Sequence, residues 1–114
     1  MRALTVPEEI LLTAIFRLED NAYGVTVRKK IEEVTGKDIG YGTLYNILAQ
    51  LVRKGYAVKT TGSPTPERGG RSKIYYRLTK PGIRALENAR RLHHRIWDGL
   101  TIPADPADSI DKGK

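Results

Sequence analysis

Cysteine is absent from the 114 residues, so neither a disulfide nor a thiolate metal site is available, which fits a reducing compartment. Long hydrophobic runs are absent too. No stretch approaches the ~20 apolar residues of a membrane span, and Glu8 and Glu9 stand where a secretory leader would need apolar side chains. The expectation is a soluble cytoplasmic protein with no membrane partner. The chemistry-bearing motifs of common enzymes are also missing: there is no glycine-rich phosphate loop, no HExxH and no persuasive Ser-His-Asp set. An enzyme is therefore not expected, and no cofactor is implied. Internal repeats and a second domain are not visible either.

What is present is a modest core and an uneven distribution of charge. Apolar residues make up 39% of the chain, enough for one small folded unit. The net charge is +7. Residues 51–80 hold eight basic side chains (Arg53, Lys54, Lys59, Arg68, Arg71, Lys73, Arg77 and Lys80) and a single acid, Glu67, so this segment carries the whole net charge. A charge run is often just a solvated face. Concentration in one segment is also the electrostatic footprint of a polyanion binder.

The order of elements follows from spacing. Thr5-Val6-Pro7-Glu8 forms a capping box, and Ile10, Leu11, Ala14, Ile15 and Leu18 follow at helical intervals. A second helix follows Tyr23-Gly24, with Val27, Ile31 and Val34 on one face and Gly36 as its carboxyl-terminal cap. A third begins near Gly42-Thr43 and stops at Gly55, with an apolar stripe of Leu44, Ile47, Leu48 and Leu51. The face opposite carries Asn46, Ala49 and Arg53, flanked by Tyr45 and Gln50. After Gly55 the period becomes two. Residues 56–61 and 73–78 read as the strands of a hairpin whose long tip spans Gly62–Gly70. On the second strand Ile74, Tyr76 and Leu78 share a face, which makes Tyr76 a core residue rather than an interface residue. Thr79-Lys80-Pro81-Gly82 starts a fourth helix running to about Leu100, and the Pro- and Asp-rich tail beyond it is expected to be disordered.

Three helices and a basic hairpin, in that order, predict an α+β, mostly helical fold: a winged helix-turn-helix, residues 1–80, with a carboxyl-terminal dimerisation helix, residues 81–100, and a tail, residues 101–114. A helix fits the major groove of DNA, where base edges present distinct patterns, and a basic hairpin beside it grips phosphates. Candidate reading residues are Tyr41, Thr43, Tyr45, Asn46, Gln50 and Arg53. Thr43 also suits capping, which is compatible with phosphate contact, and Tyr45 also suits flanking the core, though it sits off the apolar stripe. Asn46, otherwise an ordinary surface residue, has an amide that can pair with adenine. Candidate wing contacts are Arg68, Arg71 and Lys73.

The fourth helix has more apolar surface than one small core uses. Ile83, Leu86, Ala89, Leu92, Ile96 and Trp97 are therefore candidate dimerisation residues. Pairing of two such helices brings two Trp97 indoles towards a twofold axis, where flat faces can sandwich a small planar aromatic effector. His93 and His94 are adjacent, point about 100° apart and are poor joint metal ligands.

Several segments together resemble the PadR family. They are Tyr23-Gly24, Gly42-Thr43-Leu44-Tyr45, Leu48 and Leu51 ahead of Lys54-Gly55, then Gly70-Arg71-Ser72-Lys73-Ile74-Tyr75-Tyr76-Arg77-Leu78-Thr79 with Gly82. The resemblance spans roughly residues 10–90. It implies a DNA-binding transcriptional regulator, usually a repressor, that dimerises through carboxyl-terminal helices. Two departures stand out: the family often has a proline shortly before its Gly-Thr-Leu-Tyr run, where this chain has Ile39-Gly40-Tyr41, and only one helix follows the wing. A winged helix used for protein or RNA contact is the alternative.

Overall fold

The computed structural model describes residues 3–62 and 73–103. Helix α1 (Val6–Leu18) leads into a 3-10 turn (Glu19–Asn21). Helices α2 (Gly24–Thr35) and α3 (Tyr41–Arg53), strands β1 (Ala57–Thr61) and β2 (Ile74–Leu78), and helix α4 (Lys80–Trp97) follow. The strands form an antiparallel pair with Ala57 opposite Leu78 and Thr61 opposite Ile74. This is a mostly helical α+β fold, as the spacing implies. The tip of the hairpin and the tail beyond Pro103 lie outside the described residues.

Each helix begins and ends where local chemistry allows. The Thr5 hydroxyl accepts from the Glu8 amide and the Glu8 carboxylate accepts from the Thr5 amide, satisfying two amides that the first turn leaves free. Helix α2 ends at Gly36, whose φ of 76° suits a residue without Cβ. Helix α4 stops at Trp97, short of the expected Leu100, because Asp98 leaves helical geometry and Gly99 turns at φ 76°.

The core is built from one stripe of each of the first three helices. Leu11, Leu12 and Ile15 of α1, Val27 and Ile31 of α2, and Leu44, Leu48 and Leu51 of α3 are fully buried, joined by Ala57 and Tyr76 from the hairpin. Burial contributes about 1.5–3 kcal/mol for each such leucine. Val34, on the same stripe of α2 by spacing, is exposed in the last turn. On β1 it is Ala57 that turns inward, while Val58 faces out. Burial of Tyr76, with help from the nearby Tyr45 phenol, pushes its hydroxyl above the ordinary tyrosine range.

The sheet reaches back to α2. The Tyr76 amide donates to the Ala22 carbonyl at 2.8 Å, and Tyr23 bridges Tyr75 as a single antiparallel pair. The Leu78-Thr79…Gly82 segment joins the hairpin to α4. Thr79 donates its hydroxyl to the Gly55 carbonyl at 2.5 Å and its amide to the Tyr56 carbonyl at 3.1 Å. Its hydroxyl also accepts from the Gly82 amide, capping α4. Gly82 lies against this turn so closely that an added Cβ would stand 2.1 Å from the Tyr56 carbonyl oxygen. Backbone on both sides leaves that contact no cheap escape.

Gly82→Ala is accordingly expected to cost about 2 kcal/mol or more in urea unfolding. Gly42→Ala, whose added carbon meets open space, should leave the midpoint unchanged or raise it slightly.

Candidate nucleic-acid interface

Helix α3 presents the face opposite its leucine stripe to solvent. Tyr41, Thr43, Tyr45, Asn46, Ala49 and Arg53 are all exposed. Five of the six sequence-predicted reading residues therefore share one open surface. The sixth does not. Gln50 is half-buried and its amide donates to Glu8 Oε2 at 2.6 Å, so this side chain is directed at α1 rather than outward. The reason is the charge it meets there, which spacing along α3 does not reveal.

Glu8 is 1% exposed, the one buried charged residue among the described residues. Lys54 Nζ bonds the same carboxylate oxygen at 2.5 Å. One carboxylate on α1 therefore holds the carboxyl-terminal end of α3 through two side chains lying 42 and 46 residues away. Burial by itself would raise the Glu8 pKa, but the bonds from Lys54, the Thr5 amide and Gln50 outweigh it and lower the value to about 2.

The amino-terminal end of α3 is held by an aromatic stack. Tyr41 and Tyr45 lie with ring centroids 6.1 Å apart and planes 22° from parallel. The Arg28 guanidinium of α2 sits over the Tyr41 ring at 4.3 Å and makes a two-pronged bond to Asp38, both contacts at 2.7 Å. The Tyr45 hydroxyl rests on Gly24, where an added Cβ would come within 2.0 Å of it. Arg28 and Asp38 were not among the sequence-predicted residues. They are separated by a turn whose geometry the spacing does not report.

Beside this surface stands the base of the hairpin. Tyr23 and Tyr75 meet edge to face at 5.4 Å, and Lys73 Nζ lies 4.4 Å over the Tyr23 ring and 3.4 Å from its hydroxyl. Lys73 is exposed, so its charge is presented at the wing base with its stem fixed on an aromatic face. Arg68 and Arg71 lie outside the described residues.

The chain matches the model of the transcriptional regulator PadR-like family over residues 11–88. It belongs to the PadR-like family. RosR of Halobacterium salinarum superimposes with a TM-score of 0.68 at 25% identity, covering 97% of this chain and 90% of that one. RosR in a complex designated RosR-S4 gives the same TM-score and identity over 97% and 86%. A PadR-like transcriptional regulator of Bacillus cereus gives 0.67 at 21% identity over 80% and 84%. The winged-helix DNA-binding protein F93 from STIV gives 0.66 at 17% identity over 88% and 100%. No curated protein matches the chain. The winged-helix fold expected from the order of elements is thus the fold of this PadR-like protein, and DNA-binding transcription regulation is its activity. No helix among the described residues is long and apolar enough to cross a membrane.

The candidate dimerisation residues of this PadR-like chain divide over α4. Ile83, Leu86 and Trp97 line a groove of about 710 Å³ with Phe16 and Thr13 of α1, while Ala89 and Leu92 line a smaller one with Leu4 and Val6. Ile96 and Trp97 are 55% and 50% exposed. His93 lies 3.1 Å from Glu9 at the junction of the two helices.

Because the folded pKa of Glu8 lies below its ordinary 4.5, ionised Glu8 stabilises the fold above pH 4.5, and the contribution is lost as pH falls towards 2. The shift corresponds to roughly 3 kcal/mol at neutral pH, of which about 2 kcal/mol is gone by pH 3. Glu8→Gln should be less stable than the natural chain at pH 7 by about that amount. The gap should narrow at pH 3 in parallel urea titrations.

Proposed function

We propose that this PadR-like regulator is a homodimeric, sequence-specific repressor that reads a pseudo-palindromic operator with α3. The observation that carries the reading is the division of α3 into two faces. Leu44, Leu48 and Leu51 are wholly buried, whereas Tyr41, Thr43, Tyr45, Asn46 and Arg53 stand together in solvent beside a cationic hairpin. Asn46 has the amide geometry that pairs with adenine, and the tyrosines offer hydroxyls and flat apolar surface. Gln50, tied to Glu8, reads bases only by leaving that carboxylate. Arg68, Arg71 and Lys73 of the wing supply phosphate contacts, which add affinity without specificity.

A second copy of the chain covers the exposed apolar side of α4, where Ile83, Leu92, Ile96 and Trp97 would otherwise stay wet. Two recognition helices related by a twofold axis read half-sites about one or two helical turns apart. A bound dimer at a promoter excludes other proteins from the same duplex, which is the basis for repression. The half-exposed Trp97, open to a groove with Phe16, is suited to a planar aromatic effector held between the two protomers. Such an effector changes DNA affinity by favouring one spacing of the recognition helices.

Selection of bound duplexes from a random pool is expected to yield a twofold-symmetric site whose affinity falls steeply with salt. Asn46→Ala should relax preference at one base pair of each half-site, at a cost of about 1–3 kcal/mol. Lys73→Ala should weaken all duplexes alike. Equal binding of all sequences by the natural chain would end the operator reading.

Sedimentation is expected to give a dimer at micromolar concentration and a monomer, or insoluble protein, for Ile96→Asp. Planar aromatic dyes should quench the single tryptophan and alter affinity for the selected duplex. Absence of quenching would remove the effector.

A further inference from the structure

The weak point of the α3 surface is its lead-in. Gly40 occupies the N-cap position at φ 53° and ψ 154°, and no side chain caps the helix there. Glycine in that region is the residue with the widest choice of alternatives, so the backbone at this point does not fix where Tyr41 and Tyr45 stand. Their placement comes from elsewhere. Asp38, two residues before Gly40, and Tyr41, one residue after it, are both bound by the same guanidinium, that of Arg28 on α2. The Asp38 carboxylate also lies 3.5 Å from the Gly40 amide.

We infer that Arg28 and Asp38 are positioning residues for DNA reading, a clamp that brackets Gly40 and presets the Tyr41–Tyr45 stack on α3. This rests on the proposed reading of DNA by that stack and extends it to two residues that no base need touch. Arg28 suits the task because its planar fork bonds a carboxylate with its edge while its face lies on a ring. The ion pair is exposed and contributes little to global stability. Its effect is on geometry: a lead-in that visits the competent arrangement a tenth of the time weakens specific binding about tenfold.

The clamp makes a prediction whose sign opposes simple electrostatics. Asp38 is an acid beside a DNA-facing surface, so its removal raises positive charge and should strengthen binding to any duplex. If it positions the tyrosines, its removal instead weakens binding to the selected site.

The test compares the natural chain with Asp38→Ala, Arg28→Lys and Arg28→Ala. Amide hydrogen exchange over residues 40–45 is measured without DNA. Affinities are then measured for the selected duplex and for a random duplex of equal length. Circular dichroism checks that the fold is kept. Asp38→Ala is expected to lose about tenfold on the selected duplex and nothing on the random one, with faster exchange at 40–45. Arg28→Lys keeps the charge but not the fork or the flat stack, and should behave likewise. The inference is overturned if Asp38→Ala binds the selected duplex as tightly as the natural chain or more tightly, or if exchange at 40–45 is unchanged. It is also overturned if Arg28→Ala weakens both duplexes equally while Asp38→Ala is harmless, which would make Arg28 a phosphate contact. A natural chain that ignores DNA sequence would remove the operator reading, while the exchange data would still decide whether the clamp orders Gly40.

Discussion

Leu44, Leu48 and Leu51 have no solvent exposure, and the orientation of α3 follows from that. Once the stripe is seated against α1 and α2, a rotation of α3 that turned Asn46 inward would bring at least one leucine out, at a cost of about 1.5–3 kcal/mol each. The stripe therefore fixes which side chains of α3 face solvent without touching any of them. Everything else around α3 is adjustment of its two ends. The glycine at 24 leaves room for the Tyr45 ring, and a larger residue there would push the ring off α2.

The two ends are held by different physics. At the carboxyl-terminal end the buried Glu8 carboxylate is bonded by Gln50, Lys54 and its own helix. The low local dielectric makes these bonds strong and the loss of any partner expensive. At the amino-terminal end the Arg28–Asp38 pair is solvated, so it restrains geometry without much stabilising the fold. Helix α1 also borders α4: Glu9, the neighbour of Glu8, meets His93, and Thr13 and Phe16 line the groove containing Trp97. The element that anchors α3 is thus the same one that lines the groove containing Trp97.

Much of this was legible in the chain. The Thr5 capping box, the Gly36 cap, the change of period after Gly55 and the leucine stripe each have a local cause, and each element lies where that cause puts it. The apolar pattern of the fourth helix continues to Leu100, three residues past its end, while the backbone turns at Asp98-Gly99. Angle on a helical wheel puts Gln50 with the reading residues because it does not report the carboxylate lying opposite. Spacing shows Glu8 only as a capping residue and gives Arg28 and Asp38 no role.

The sequence by itself determined the order of elements, the leucine stripe of α3 and the family, because these depend on residue spacing and on contacts within a few positions. Only the tertiary structure decided which polar side chains are free to meet a ligand and which are already engaged. Gln50 and Lys54 bond Glu8 across more than forty residues, and Arg28 reaches Asp38 and Tyr41 across a turn. A polar group's partner is set by the packing of whole helices, and one amphipathic pattern is compatible with many such packings.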